Sequence, residues 1–362
     1  LLHEPHADKR MGGRFHFRTA AEMAAGCKEH PEWLRHTLEI AERCNFNFPF
    51  GKPQFPAFPL PDGLSAKELL SQLVLRGLRN RYGERASRFE PQVLEELEII
   101  AEVGYEDYFL ITWDILQECR RRGIEWITRG SAADSLVCYC LEISGVCPIR
   151  FELYFRRFHN KERMALHKLP DIDIDFAHDR KDDVVNLLFE RYGPEHCAVV
   201  GGFSTFQARS AFAEIAKVLG VGERDVRKFT DRFPWSFGSS WEPTGSEVPF
   251  LAKVMQNSIE CRDLPFKEEP YKTALETAQF LDGMPRYPKM HPCGVVLSRQ
   301  PIRELTPTFI ANKGYATAHF DMDAVEVVGL VKMDILAQGG LAVMRDVKAM
   351  LAEQGIEVDL ER

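Results

Sequence analysis

The stretch Pro170-Asp171-Ile172-Asp173-Ile174-Asp175-Phe176 determines our prediction of the fold. Acidic and apolar residues alternate along it, which is the pattern of a β-strand with one buried face. The three aspartates therefore share one face, with neighbouring members about 6.5–7 Å apart. Carboxylates held together repel each other unless cations lie between them, and two divalent ions about 3.5–4 Å apart would fit. The stretch predicts either such a metal site or a solvated acidic face on an edge strand.

A second acidic residue lies in a matching context much further along the chain. In Val331-Lys332-Met333-Asp334-Ile335, Lys332 and Asp334 alternate with three apolar residues and therefore share a face. A lysine beside a carboxylate cluster fits a site that also binds a polyphosphate. Taken alone, the pair fits an ordinary surface lysine and aspartate at the end of a strand better.

A loop between a predicted short strand and a predicted helix contains Thr128-Arg129-Gly130-Ser131-Ala132-Ala133-Asp134-Ser135. Gly130 lets a ligand approach the backbone, and Arg129 offers a planar set of donors. We expect Ser131 to cap a helix from Ser131 to Ile143, whose free N–H groups would attract phosphate oxygens. The alternative is a capped helix without a ligand, because Ser131 and Asp134 also resemble a capping box. Neither a P-loop nor a Rossmann glycine pattern occurs in the sequence.

The overall composition is that of a globular protein and leaves its function open. The 362 residues are 45% hydrophobic and 28% charged, and this length suggests about two or three domains. The net charge of −8 argues against a simple basic nucleic-acid-binding module, although an acidic enzyme can still bind DNA through local basic stripes. The sequence has no membrane-length apolar run and no signal peptide. Its nine cysteines show no zinc-like spacing, and an odd number of unpatterned thiols fits a reducing cytosol, so we expect a cytoplasmic protein with no membrane partner.

Five segments, taken in their order, resemble the motifs of one enzyme family. They are Arg129-Gly130-Ser131-Ala132-Ala133, Asn160-Lys161-Glu162-Arg163, the acidic strand, Gly202-Phe203-Ser204-Thr205-Phe206 and Gly329-Leu330-Val331-Lys332-Met333-Asp334. Over nearly its whole length the sequence is similar to the C-family polymerases, the alpha subunit of bacterial DNA polymerase III and its error-prone relatives. Each motif alone is moderately specific, whereas the five in this order and spacing are very specific.

The resemblance implies an α+β fold in which a polymerase-β-like nucleotidyltransferase palm, a mixed sheet with flanking helices, is interrupted by a helical thumb. Residues 61–205 and 290–345 would form the palm, and residues 206–289 the thumb. Residues 1–60 resemble the C-terminal tail of the PHP domain and a linker, and residues 346–362 would start the fingers. The rest of the family's fingers, its clamp-binding segment and its OB domain would lie outside this sequence.

The resemblance also implies roles for individual residues in template-directed DNA synthesis. The family's catalytic aspartates, which bind two Mg²⁺ ions for which Mn²⁺ can substitute, fall on Asp173, Asp175 and Asp334. Its nucleotide contacts fall on Arg129, Gly130, Ser131, Arg163 and Lys332. Asp171 belongs to the family pattern but is not one of the family's primary metal ligands.

The implied partners are primer-template DNA, deoxynucleoside triphosphates and, through regions outside this sequence, a sliding clamp and other replisome subunits. On a helix predicted from Thr205 to Leu219, Arg209 and Lys217 are candidates for contacts with DNA phosphates, or they are simply solvated. The family usually has Gly or Asn at the position of Asp134. A carboxylate in the first helical turn would compete with phosphate for the helix dipole.

Two other functions remain open at this point. A metal-dependent phosphoesterase or sugar transferase would explain the Asp-x-Asp pattern, but it would not explain Lys332 with Asp334 or the loop at Gly130. A catalytically incompetent palm and thumb fragment that only binds DNA would keep every motif. Because the fingers help to hold the nucleotide, we expect this chain alone to be inactive.

Overall fold

The computed structural model describes residues 16–47, 50, 55–157, 171–233, 258–281 and 283–358. By its internal contacts the chain divides into two units. We call Phe48–Gly202 with Pro288–Arg362 the sheet unit. We call Leu1–Asn47 with Phe203–Tyr287 the helical unit.

The predicted α+β class, a mixed sheet with flanking helices, is confirmed. The helices, in chain order, are α1 (Ala20–Gly26), α2 (Glu32–Arg43), α3 (Ala66–Tyr82), α4 (Ala86–Val103), α5 (Glu106–Arg121), α6 (Leu136–Cys140), α7 (Lys181–His196), α8 (Ala208–Val218), α9 (Glu223–Thr230), α10 (Tyr271–Leu281), α11 (Met322–Val327) and α12 (Gly339–Glu353). The strands are β1 (Trp126–Arg129), β2 (Asp173–Ala177), β3 (Cys197–Thr205), β4 (Pro285–Leu297), β5 (Thr308–Ile310), β6 (Ala316–Ala318) and β7 (Val331–Gln338). Among the described helices, none combines the length and the apolar character that a membrane span requires.

The seven strands form one sheet in the order β1-β2-β7-β4-β3-β6-β5. The acidic strand β2 lies between β1, to which it is antiparallel, and β7, to which it is parallel. Asp173 is therefore opposite Arg129 on one side and opposite Asp334 on the other. On its far side β7 pairs antiparallel with β4, which places Gly294 opposite Asp334. The sheet thus joins segments that lie far apart in the sequence.

The alternation in the acidic strand corresponds to two different faces of the sheet. One face packs against α3 to α7 in the main core. Its buried apolar residues, from β2, β7 and the position just before β2, are Ile172, Ile174, Phe176, Val331, Met333 and Ile335. Val200, Val296 and Leu330 belong to a second core cluster that also contains Val325 of α11. Because side chains alternate along a strand, the acidic residues of β2 and β7 lie on the face away from the main core.

The helical unit has a core of its own, in which α8, α9 and α10 pack together. Its buried residues include Phe212, Phe229 and Phe233, and the ring of Phe229 stacks on Tyr271 with centroids 4.6 Å apart. In contrast, α1 and α2 bury no residue. The predicted thumb, residues 206–289, overlaps the second segment of the helical unit, Phe203–Tyr287. The assignments of the PHP tail, palm, thumb and fingers remain predictions.

Candidate active site

Three carboxylates meet at the junction of β2 and β7. Asp171, Asp173 and Asp334 each offer a carboxylate oxygen, and these three atoms lie within 4.8 Å of one another. The parallel pairing of β2 with β7 produces this arrangement because it aligns Asp173 with Asp334. Asp175, two residues further along β2, is not a member of this group, and its Oδ2 lies 3.1 Å from Nε of Arg129.

Burial and a neighbouring carboxylate act on two members of this cluster. Burial raises the pKa of Asp171 to about 7, with a further contribution from Asp334 and an opposing one from Lys332. Burial and the Asp334 carboxylate also raise the pKa of Asp173. Carboxylates whose pKa is raised by burial and by each other are stabilised in their charged form when a cation binds between them.

Two oxygen atoms at this site are suited to a metal ion. Oδ1 of Asp175 and Oδ1 of Asp334 are buried and have no hydrogen-bond partner within the described part of the chain. A buried polar atom without a partner usually costs about 1–3 kcal/mol, and a bound cation would offset that cost. Carboxylate oxygens are the ligands that Mg²⁺ and Mn²⁺ prefer. The residues present therefore fit a divalent metal ion.

Lys332 lies inside the carboxylate cluster. Its Nζ is 2.8 Å from Asp334 Oδ2 and 3.1 Å from Asp171 Oδ2, and its side chain is only 7% exposed. Burial lowers the pKa of the Lys332 ammonium, but Asp171 and Asp334 outweigh that effect, so the pKa lies above its usual value. Lys332 is therefore a fixed positive charge between two of the carboxylates.

The loop after β1 approaches the same carboxylates through its backbone. Gly130 has a φ of +71°, a conformation that side chains disfavour. A Cβ built at Gly130 would lie 3.4 Å from Asp173 Oδ2, so the absence of a side chain leaves room beside this carboxylate. The side chain of Arg129 is half exposed and forms an ion pair with Asp175. Ser131 is partly buried.

The predicted helix from Ser131 to Ile143 is wrong in its start and length. Residues Gly130–Asp134 form a 3-10 turn, and α6 covers only Leu136–Cys140. Ser135, rather than Ser131, caps this helix by accepting a hydrogen bond from the Cys138 N–H. Asp134 is buried in the preceding turn and does not occupy the first turn of α6, so the expected competition with phosphate at the helix dipole does not arise.

The N-terminus of α6 is occupied by a residue that the sequence did not suggest. Glu96 of α4 is fully buried, and its carboxylate accepts hydrogen bonds from the N–H groups of Leu136 and Val137 at 3.1 and 3.2 Å. It also accepts bonds from Ser135 Oγ at 2.7 Å and from Gln92 Nε2 at 3.1 Å. These two N–H groups therefore already have an internal carboxylate as their acceptor, which anchors the end of the Gly130 loop.

The remaining predicted contact residues are Arg163, Arg209 and Lys217. Arg163 lies outside the described residues, with the rest of its motif. Arg209 of α8 donates a hydrogen bond to the Phe233 carbonyl at 3.1 Å, so its guanidinium already has a partner in the helical unit. Lys217 of α8 is exposed.

Tyr108 is a further residue that the sequence did not suggest. It is 2% exposed, and its hydroxyl accepts a hydrogen bond from the Ile172 N–H at 3.2 Å. Ile172 lies between Asp171 and Asp173, just before the pairing of β2 begins. Tyr108 therefore fixes the backbone that carries two of the three clustered carboxylates.

Comparisons with known proteins agree on one family. Residues 68–337 match the family model of the bacterial DNA polymerase III alpha NTPase domain. An error-prone DNA polymerase from Symbiobacterium thermophilum is 36% identical over 336 residues, which are 93% of this chain and 30% of that protein. The DNA polymerase III subunit alpha of Bacillus subtilis is 34% identical over 343 residues, which are 94% of this chain and 29% of that protein.

The matches cover nearly all of this chain but only part of its relatives. The chain spans about 30% of the length of the curated relatives that it matches. The family model covers β1 to β6 completely and all but the last residue of β7, so it includes the strands that carry the carboxylates and Lys332. The chain belongs to the bacterial DNA polymerase III alpha family, the C-family polymerases that its motifs resemble.

Proposed function

We propose that this chain carries the nucleotidyl-transfer site of a DNA-directed DNA polymerase, replicative or error-prone, with Asp173, Asp175 and Asp334 as the metal ligands. The observation that carries the proposal is the pair of buried, unpartnered oxygens on Asp175, two residues after Asp173 on β2, and on Asp334, opposite Asp173 on β7. In each of these two carboxylates the other oxygen, Oδ2, pairs with a basic side chain, which is Arg129 for Asp175 and Lys332 for Asp334. Membership of the polymerase family supports the same function.

The carboxylates would hold two divalent ions, Mg²⁺ or Mn²⁺. When bound, these ions supply activation of a primer 3′-hydroxyl and neutralisation of the charge on the α-phosphate and the departing pyrophosphate. The chain's own residues hold the ligand oxygens in place before any substrate arrives. The sheet register does this for Asp173 and Asp334, and the Tyr108 hydroxyl does it for the start of β2. Such preorganised charge is the usual source of catalytic stabilisation.

The substrates in this proposal are a deoxynucleoside triphosphate and primer-template DNA. Lys332 is a buried ammonium at the carboxylates and would bind triphosphate oxygens. Gly130 leaves space beside Asp173, with Arg129 and Ser131 on either side, and Arg163 completes the proposed nucleotide contacts. On the proposed thumb, Lys217 is exposed and suited to DNA phosphates, whereas Arg209 would have to share its guanidinium with the Phe233 carbonyl. A sliding clamp and other replisome subunits would bind elsewhere in the complete polypeptide.

The test is Asp334→Asn, which keeps the size of the side chain and removes its charge. In the complete polypeptide that carries this region, we expect primer extension to fall roughly 10²–10³-fold, because one preorganised contact is lost. Primer-template binding should stay unchanged, because DNA phosphates are bound by cations rather than by this carboxylate. Asp114→Asn is the matched control, since Asp114 pairs with Arg191 and is not a member of the carboxylate cluster. Near-normal extension by Asp334→Asn would remove the basis of the proposal.

The same experiment separates the two alternative functions. A phosphoesterase would release phosphate from a substrate without incorporating a nucleotide into a primer. A catalytically incompetent fragment would bind DNA but extend no primer as this chain alone, whereas the complete polypeptide would extend it. Incorporation of a labelled nucleotide that depends on Asp334 excludes the phosphoesterase, and incorporation by this chain alone would exclude the incompetent fragment.

A further inference from the structure

Asp171 is the acidic residue of this cluster to which the proposed function gives no role. The parallel pairing of β2 with β7 begins at Asp173 and Asp334, and Asp171 lies two residues before it in the sequence. The side chains of Asp171 and Lys332 meet, with Asp171 Oδ2 at 3.1 Å from Nζ of Lys332. The same ammonium is 2.8 Å from Asp334 Oδ2. Lys332 is therefore shared between two carboxylates, of which only Asp334 is a proposed metal ligand.

The position of Asp171 is fixed although its side chain is partly open to solvent. Its side chain is 40% exposed, against 9% for Asp334. The following residue, Ile172, is held by the hydrogen bond from its N–H to the Tyr108 hydroxyl. A carboxylate on a fixed backbone can serve as a partner for a neighbouring ammonium.

A buried ammonium needs a counter-ion, because an unpaired charge in a protein interior is costly. If Asp334 were the only partner of Lys332, a divalent ion and Lys332 would compete for the same carboxylate. Asp171 removes that competition by giving Lys332 a second partner. We propose that Asp171 is a positioning residue, whose carboxylate holds the Lys332 ammonium so that Asp334 is left for a divalent cation. This inference rests on the proposed function, since it assumes that Asp334 binds a metal ion.

A different role for Asp171 makes a different prediction. Asp171 offers an oxygen within 4.8 Å of those of Asp173 and Asp334, so it could instead bind the metal ion directly. As a direct ligand, Asp171 would contribute to metal affinity whether or not Lys332 is present. As a positioning residue, it would contribute only when Lys332 is present, because its effect passes through the ammonium.

The experiment is a double-mutant cycle on this chain without nucleotide. Mn²⁺ affinity is measured by electron paramagnetic resonance for the wild type, Asp171→Asn, Lys332→Met and the double variant. We expect Asp171→Asn to weaken Mn²⁺ binding roughly tenfold in the wild-type background and less than about twofold in the Lys332→Met background. Asp179→Asn removes one charge from an aspartate that pairs with Arg345 and should leave the affinity unchanged.

The outcomes are distinct. An equal loss of affinity in both backgrounds would show a direct ligand and overturn the inference, as would no loss in either. A wild-type chain that binds no Mn²⁺ would overturn the proposed metal site itself. A wild-type chain that binds Mn²⁺ through Asp334, with equal losses for Asp171→Asn in both backgrounds, would overturn the positioning role alone.

Chemical labelling of Lys332 provides a second readout that does not depend on metal affinity. In the wild type, Asp171 should keep Lys332 protected from an amine-specific reagent when Mn²⁺ is added. In Asp171→Asn, added Mn²⁺ should draw Asp334 away from Lys332, so that modification of Lys332 rises severalfold by mass spectrometry. Equal modification of Lys332 in the two proteins with Mn²⁺ present would contradict the positioning role.

Discussion

Replacing Gly294 with alanine would add a methyl group to β4 directly opposite Asp334. A Cβ at this position would lie 2.7 Å from Val200 Cγ2 and 3.2 Å from Val200 Cβ. Carbon atoms in contact prefer separations of about 3.5–4.0 Å, so Val200 would have to move. Val200 is fully buried and β-branched, which leaves its side chain few other rotamers. We expect Gly294→Ala to lower the free energy of unfolding by about 1–3 kcal/mol, the usual cost of overpacking.

A second substitution tests whether this contact is the cause. Val200→Ala alone should also destabilise the protein by about 1–3 kcal/mol, because each buried methyl group removed costs about 0.5–1.5 kcal/mol. In the double variant the new methyl group at position 294 enters the space that Val200 vacates. The two losses should therefore not add, and the coupling should be about 1–2 kcal/mol. Urea unfolding followed by circular dichroism measures all four proteins.

Two further glycines serve as controls for this cycle. Gly340→Ala adds a methyl group with no atom within 4 Å, and it should leave stability unchanged or raise it by up to about 1 kcal/mol through helix propensity. A Cβ at Gly201 would lie 1.6 Å from the Ala318 carbonyl oxygen, so Gly201→Ala should be more destabilising than Gly294→Ala. Val200→Ala should not restore the stability of Gly201→Ala, because the new methyl group there meets the backbone of Ala318, which cannot change its rotamer as a side chain can. Additive losses for Gly294→Ala and Val200→Ala, within about 0.5 kcal/mol, would refute the reasoning.

Two other substitutions examine the groups that hold the candidate site in place. Burial raises the pKa of Glu96 in the folded protein. Its ionisation therefore opposes folding as the pH rises from the pKa of the unfolded state through the pKa of the folded state. The stability of the wild type relative to Glu96→Gln should therefore fall as the pH rises above the ordinary pKa of a glutamate, by about 1.4 kcal/mol for each unit by which the folded pKa is raised. A wild-type advantage in urea unfolding that grows with pH would contradict this. Tyr108→Phe leaves the buried Ile172 N–H without its acceptor and should cost about 1–3 kcal/mol in thermal or urea unfolding. Tyr105→Phe, whose hydroxyl makes no hydrogen bond to a described residue, should change stability by less than about 0.5 kcal/mol, and equal effects of the two would argue against the role of Tyr108.

The part of the site that lies on strands could be predicted from the sequence. Strict alternation defines which residues share a face, whatever the rest of the fold does. It therefore predicted that Asp173 and Asp334 lie away from the apolar core, and the structure places them side by side in the sheet. The alternation could not predict the register between β2 and β7, and the register decides that Asp171 rather than Asp175 lies beside Lys332.

The part of the site that depends on tertiary contacts could not be predicted in the same way. Both Ser131 and Ser135 are chemically suited to cap a helix, and local pattern alone does not choose between them. Glu96, a buried acceptor on a distant helix, stabilises the start at Leu136. One signal was available, because Glu96 follows Val93 by three residues and precedes Ile100 by four, which places a carboxylate on the buried stripe of α4. A charged residue on such a stripe needs partners, and its partners here define the end of the Gly130 loop.

The position of β7 beside β2 has a consequence for how the protein is made. Asp173 and its strand partner Asp334 are separated by 161 residues of chain, the difference between the two numbers. At about 5–20 residues per second, roughly 8–30 s of translation separate the emergence of the two from the ribosome. Throughout that interval one edge of β2 has no neighbour, and an unpaired edge is the kind of surface on which nascent chains associate wrongly. The alternating carboxylates would then have a second benefit, since mutual repulsion between chains discourages the acidic edge of one copy from pairing with that of another.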